Sequence, residues 1–238
     1  MTPVLSIGSL KTSGSTTLAL TLAGVAVAAD IPVVLVDAGR DKDLVDWAAK
    51  SGRPSLCTVE VADDEITLER IVRAARRRGD LALIDAGDNA EMIRAGARLS
   101  DRALIPVRFS PLSAYAALAT DRLLATEADK GRRGRDWAFV ASAVTTIPSR
   151  VARTIEGMIE RSPTARLEVG LVQRAAYEAP FLHGGTLFTL GEDVAPGIER
   201  ARAEAATIAY EIGILGHDVD ATTVIRERGS FEAAAAAA

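Results

Sequence analysis

Cysteine is nearly absent from the 238-residue chain; Cys57 stands alone. That excludes an intrachain disulfide framework and suits a reducing cytoplasm. Histidine is almost as scarce. His183 and His217 are isolated, so no His/Cys cluster with metal-ligand spacing exists. Aromatic residues make up 4%, which leaves aliphatics and alanine to build the core. No uninterrupted apolar run is long enough to cross a bilayer. Neither sign of charge dominates: 28 basic residues face 32 acidic ones, for a net charge of −4. Contact with nucleic acid would therefore need a local basic patch rather than a global field.

What is present is the composition of an ordinary globular protein, 48% hydrophobic and 25% charged. The length fits one large α/β domain better than two small ones. That domain is read over residues 1–217. Residues 218–238 form a polar tail closing on six alanines, which are set aside. Disorder is expected there, with a short partner-binding segment over 218–231 as the alternative.

The chain is organised around its first 37 residues. Val4 to Ile7 form an apolar, β-branched run. A small-residue loop follows, Gly8-Ser9-Leu10-Lys11-Thr12-Ser13-Gly14-Ser15-Thr16-Thr17, and then a helix-like run of Leu, Ala and Val to Ala29. A second apolar run, Pro32 to Val36, ends on Asp37. Strand, small-residue turn, helix, strand and acid is the opening of a nucleotide-binding α/β domain. The turn presents backbone N–H groups and a helix N-terminus to phosphate. Against the P-loop pattern G-x-x-x-x-G-K-[ST], Gly14 and the hydroxyl of Thr16 are in place, Ser9 takes the first glycine, and Ser15 takes the lysine. Small-residue turns also occur in α/β domains that bind nothing. A secretory leader is a further alternative, with Lys11, an apolar run and Ala26-Val27-Ala28-Ala29 as an A-x-A-like cleavage site. The strand pattern before Lys11 speaks against it.

Downstream the periodicity alternates. Helices are expected over 41–51, 66–78, 90–99, 113–128, 149–160 and 198–214. Strands are expected over 57–61, 81–85, 102–109, 137–144 and 167–171. Ile66, Leu68, Ile71, Val72 and Ala75 mark one helix face; Val151, Ile155 and Ile159 mark another, with Ser149 as its cap. Trp47 and Cys57 read as packing residues, and His183 as a loop histidine without a catalytic task. Alternation predicts a doubly wound, predominantly parallel sheet flanked by helices. Its ligands belong at the carboxyl ends of the strands, where Gly14, Asp37 and Asp85 all point.

The ordered motifs resemble the ParA/MinD family of deviant P-loop ATPases, whose turn reads K-G-G-x-G-K-T-T. Lys11 resembles that family's signature lysine, one place late, with Thr12 and Ser13 where two glycines follow it. The run V-D-A-G-R-D-K-D-L-V-D-W from Val36 resembles the family's V-D-x-D-P-Q-…-W, with Gly39 in place of the second acid. Leu81 to Asp85 resembles its Walker B strand, and Ile105-Pro106-Val107 with Ser110-Pro111-Leu112 its next strand and loop. Arg174 to Leu187 resembles the C-terminal part of ParA-like partition proteins. The resemblance covers residues 3 to 215 and implies the P-loop NTPase-like fold.

It further implies ATP and Mg²⁺ as cofactors. Gly14, Ser15, Thr16 and Thr17 would hold the nucleotide, Thr16, Asp37 and Asp85 the metal, and Lys11, Asp37 and Asp85 would be catalytic. Nucleotide-dependent homodimerisation follows if Lys11 is the signature residue. The resemblance also implies a cytoplasmic protein that partitions or positions DNA of a plasmid or conjugative element, with a centromere-binding or relaxosome-type partner and no membrane. With Ser15 in the turn, ATP binding and hydrolysis are expected to be weak or lost. The alternatives are a pseudo-ATPase that regulates a partner, or an active Mg-ATPase using Lys11. For non-specific DNA binding the strongest candidate is Lys130-Gly131-Arg132-Arg133-Gly134-Arg135, whose cations are Lys130, Arg132, Arg133 and Arg135. A solvated basic loop is the alternative, since arginine far outnumbers lysine throughout.

Overall fold

A computed structural model describes residues 3–11, 13–129 and 136–215. The basic segment 130–135 and the tail 218–238 lie outside the described residues.

The strands are β1 (Val4–Gly8), β2 (Val33–Asp37), β3 (Cys57–Val61), β4 (Leu81–Gly87), β5 (Arg102–Val107) and β6 (Asp136–Ala141). They form one sheet in the order β3-β2-β4-β1-β5-β6, and each neighbouring pair is parallel. The helices are α1 (Ser15–Ala28), α2 (Asp43–Ala48), α3 (Glu65–Arg78), α4 (Ala90–Leu99), α5 (Pro111–Asp129), α6 (Arg150–Glu160), α7 (Ala179–His183) and α8 (Ile198–Glu211).

The central strands β1, β2 and β4 are buried on both faces and so are apolar on both sides, whereas the edge strand β3 is partly exposed and carries Thr58 and Glu60. Leu5, Ile7, Leu35, Leu83, Leu104 and Val140 join α1, Trp47 of α2 and α8 in one layer. Val4, Val36, Ile84, Ile105 and Phe139 join α3, α4, α5 and α6 in the other. The fold is thus the doubly wound parallel sheet that the alternation predicts.

Local chemistry sets several boundaries. The Asp64 side chain accepts the Thr67 N–H at 2.7 Å to start α3, and Ser149 accepts from Ala152 at 3.0 Å to start α6. Trp47 is buried, and its Nε1–H donates to the Gly185 carbonyl at 2.7 Å, tying α2 to the segment after α7.

Three expectations are corrected. Residues 167–171 do not form a strand; only the isolated bridges Phe139↔Arg166 and Val144↔Val172 reach β6 and its extension. Each is held by a few backbone hydrogen bonds, such as Leu167 N–H to Phe139 O at 2.9 Å. On α6, Ile155 and Ile159 are buried but Val151 is exposed. Ile66 is likewise exposed at the start of α3, while Leu68, Ile71, Val72 and Ala75 are buried. Both outliers lie in the first turn of their helix.

Candidate functional site

β1 and β4 are adjacent at the centre of the sheet, and the turn after β1 emerges there at the carboxyl edge. That is the crevice where the chain direction switches sides, the usual ligand position in open α/β sheets. The turn is laced to its neighbours. Ser9 N–H donates to Gly87 O at 3.0 Å, and Leu10 N–H to Thr120 Oγ1 at 3.0 Å. Ser13 is buried; its hydroxyl bonds the Lys11 carbonyl at 3.0 Å and meets Ser113 Oγ at 3.1 Å. Ser142 Oγ–H donates to the Ser13 carbonyl at 2.5 Å. Ser113 Oγ in turn accepts Arg108 N–H at 2.9 Å. The ends of β4, β5 and β6 and the start of α5 therefore all fix the turn.

Gly14 ends it at φ 92°, ψ 30°, a left-handed conformation in which glycine carries no steric cost. From there α1 starts without a side-chain cap and without an acid in its first turn. The first intrahelical hydrogen bond runs from Leu18 N–H to Gly14 O. The amides of Ser15, Thr16 and Thr17 consequently have no acceptor within the helix, which makes an N-terminus disposed toward an anion.

Beside that N-terminus lies an open cleft lined by Ser15, Thr16, Asp37, Gly39, Arg40, Asp41, Lys42, Asp43, Asp85, Gly87 and Asp88. Asp37 and Asp85 are paired in register across β2 and β4 and are 1% and 2% exposed. Their environments differ. The Asp37 carboxylate turns to α2, accepting Leu44 N–H at 3.0 Å and Val45 N–H at 3.2 Å on Oδ2. Burial raises its pKa, with those bonds and Lys42 opposing. Asp85 accepts Gly87 N–H at 3.1 Å. Burial pushes its pKa up to about 6; hydrogen bonds from Thr16, Ser15 and Gly87 pull it down, and the Asp37 charge adds to the rise. Thr16 and Asp85 thus place a hydroxyl and a carboxylate together, an oxygen donor set of the type that Mg²⁺ accepts.

A second opening lies on the other flank of the turn, a cavity of about 60 Å³ with Ser13, Gly14, Thr17, Arg108, Ser142, Arg174 and Tyr177 among its lining. Its floor is braced by Glu204, which accepts from Arg174 Nη2 at 2.5 Å and from Tyr177 Oη at 2.8 Å.

The structure brings Ser15, Thr16, Asp37 and Asp85 to one cleft and Gly14 and Thr17 to the adjoining one. Lys11 is exposed and lines neither. Cys57 is buried, and burial pushes its thiol up to about 12, which keeps it protonated and inert. Sequence reasoning missed Lys42 and Arg40 in the first cleft and Arg108 and Ser142 in the second. A signal for the first pair was present: both fall within five residues of the end of β2.

No protein-family model matches the chain. It is 27% identical over 215 residues to Protein ParA of Rhizobium radiobacter, covering 87% of this chain and 96% of that protein. The ATP complex of a McdA variant from Cyanothece aligns with a TM-score of 0.73 at 15% identity, over 90% of this chain and 97% of McdA. MinD in the MinC:MinD complex of Aquifex aeolicus aligns with a TM-score of 0.67 at 16% identity, over 88% and 95%. The chain is thus similar to ParA along nearly its whole length and shares the fold of McdA and MinD.

Proposed function

We propose that the protein partitions or positions DNA of a plasmid or conjugative element, and that its nucleotide site binds Mg-ATP weakly and turns it over slowly or not at all. The observation that carries the second part is Ser15 at the first position of α1, lining the cleft with Asp85. A P-loop places a lysine there to meet the β- and γ-phosphates.

The residues present fit part of a Mg-nucleotide. The uncapped α1 amides and Gly14 suit phosphate, and Thr16 and Asp85, with Asp37 beside them, suit Mg²⁺. The charge balance does not fit as well. Five aspartates and two cations line the cleft, so a triphosphate enters a field of its own sign. Bound Mg²⁺ would neutralise phosphate oxygens; the chain itself supplies amides, the Thr16 hydroxyl and two carboxylates. Losing one preorganised cation costs about 10² to 10³ in rate by the scale of an oxyanion-stabilising group.

Lys11 lines neither cleft, so any part it takes in the site needs it to fold back within the subunit or to reach across a homodimer. DNA binding falls to the basic segment 130–135, without sequence preference. The ParA, McdA and MinD relatives support the partition or positioning role; a centromere-binding or relaxosome-type protein completes the system.

Calorimetric titration with Mg-ATP, run beside Ser15→Lys, tests the reading. The unmodified protein is expected to bind weakly and Ser15→Lys at least about tenfold more tightly. Tight binding with brisk hydrolysis by the unmodified protein would overturn it.

A further inference from the structure

Position 15 leaves the cleft without its lysine, yet the fold delivers another cation to the same cleft from the connection after β2. The chain has four lysines: Lys11, Lys42, Lys50 and Lys130. Among the described residues, Lys42 is the lysine that lines the cleft with Ser15, Thr16, Asp37 and Asp85. The β2–α2 connection carries it there because β2 lies directly beside β4 in the sheet.

The backbone at Lys42 is unusual. It adopts φ 55°, ψ 35°, a left-handed conformation that a residue with a β-carbon disfavours. The surroundings impose it: the Lys42 carbonyl accepts Val45 N–H at 3.0 Å and Asp46 N–H at 3.2 Å, while Asp37 accepts the Leu44 and Val45 amides. Glycine would meet that backbone requirement without strain. A lysine instead places an ammonium at the cleft.

That ammonium is held loosely. Nζ donates to the Asp37 carbonyl at 3.3 Å and pairs with Asp63 at 2.8 Å. The Asp63 side chain is 77% exposed and does not line the cleft, and exposed ion pairs of this kind contribute little. Releasing Asp63 for a doubly charged phosphate is therefore favourable. Arg40, the cleft's other cation, is more exposed still and meets Asp88 at 3.8 Å.

We propose that Lys42 is the cation that pairs with the terminal phosphate of a Mg-bound nucleoside triphosphate, standing in for the lysine that Ser15 replaces. This rests on the reading of the cleft as a nucleotide site. The terminal phosphate is the one concerned because Lys42 lies on the Asp37–Asp85 side of the turn, away from the second cavity, where Gly14 and Thr17 would face the rest of the nucleotide.

The experiment measures dissociation constants for Mg-ATP and Mg-ADP by titration of full-length protein, with circular dichroism verifying each fold. Lys42→Ala and Lys42→Gln are expected to weaken Mg-ATP about tenfold or more and Mg-ADP by much less, with Lys42→Arg retaining most of the affinity. Asp63→Asn, outside the cleft, is expected to tighten Mg-ATP about threefold by freeing the ammonium. In a Ser15→Lys background the loss from Lys42→Ala should shrink to a small remainder, since the two cations serve one phosphate. Equal losses in both backgrounds, equal losses for ATP and ADP, or no loss at all would overturn the proposal. Binding by Ser15→Lys but not by the unmodified protein would also overturn it, leaving the cleft as a nucleotide site. Binding by neither would sink the nucleotide reading itself.

Discussion

The Asp37 carboxylate caps the helix that follows it, accepting Leu44 N–H at 3.0 Å. A strand-end acid in register with Asp85 thereby acts first as an anchor for the β2–α2 connection. The same bond that holds α2 in place also sets the left-handed turn at Lys42.

Removing that acceptor strips the Leu44 amide of its partner and leaves Val45 N–H only the Lys42 carbonyl. Asp37→Ala is expected to lower stability by about 1–2 kcal/mol at neutral pH, as for a lost N-cap. Asp37→Asn keeps an acceptor and sheds the buried charge, so its cost should be below about 1 kcal/mol. Urea denaturation followed by circular dichroism measures both. A cost for Asn equal to that for Ala would mean that the charge, not the acceptor, holds the connection.

Gly87 closes the cleft opposite Gly39. It sits at φ 56°, and a β-carbon there would lie 3.1 Å from the Gly39 Cα. Gly79, at φ 79°, has nothing within 4 Å of the same added atom. Gly79→Ala therefore carries only the left-handed strain of about 1 kcal/mol, whereas Gly87→Ala carries the strain and a backbone shift. Denaturation midpoints should rank Gly87→Ala as the more damaging change; the reverse order would contradict this packing.

The basic segment gives a separate prediction. Changing Lys130, Arg132, Arg133 and Arg135 together to Ala should weaken non-specific DNA binding and flatten its salt dependence, because a phosphate that is no longer neutralised keeps its counterions. Fluorescence anisotropy with a random-sequence duplex across a salt series measures the slope. An unchanged slope would assign DNA binding to another part of the surface.

Much of this architecture was legible because its signals are local. Val4 to Ile7, Pro32 to Val36 and Leu81 to Ile84 are short apolar runs ending on turns or acids, and from Val4, Val33 and Leu81 onward each is a strand buried on both faces. Asp37 and Asp85 could be placed together because each closes such a run at the same sheet edge. The segment 167–171 misled because its apolar residues pack in the core, with Leu167 and Leu171 both buried, while its backbone forms only isolated bridges; burial was mistaken for pairing. The serine lacing of the turn was invisible for another reason. Ser13 meets Ser113 and Ser142 across 100 and 129 residues, and no periodicity encodes a single hydroxyl hydrogen bond. Lys42 was nearer at hand, but in sequence it reads as one charge in a mixed run, and only the strand order brings it to the cleft that Ser15 lines.

Asp85 makes the most direct pH prediction. Its carboxyl lies at about 6 in the folded protein against 3.8 ordinarily, chiefly because burial disfavours the charge. Between those two values the folded chain holds a proton that the unfolded chain has released, so stability falls as pH rises through that window and levels off above it. At neutral pH and just above, the folded protein thus carries an ionised, buried Asp85 at a cost on the order of 2–3 kcal/mol. Asp85→Asn removes the charge and keeps an acceptor for Gly87 N–H. It should raise stability at about pH 7.5, with the gain shrinking toward about pH 4 and the slope between those values flattened. Mg²⁺ needs the opposite state, the carboxylate. Its contribution to nucleotide affinity should accordingly grow from about pH 5.5 to about 7.5 in the unmodified protein and be small and flat in Asp85→Asn. Denaturant melts across that range, paired with titrations in Mg²⁺ and in a chelator, measure both. A pH-independent stability difference between the two proteins would show that Asp85 is ionised at its ordinary pKa and that the cleft does not desolvate it.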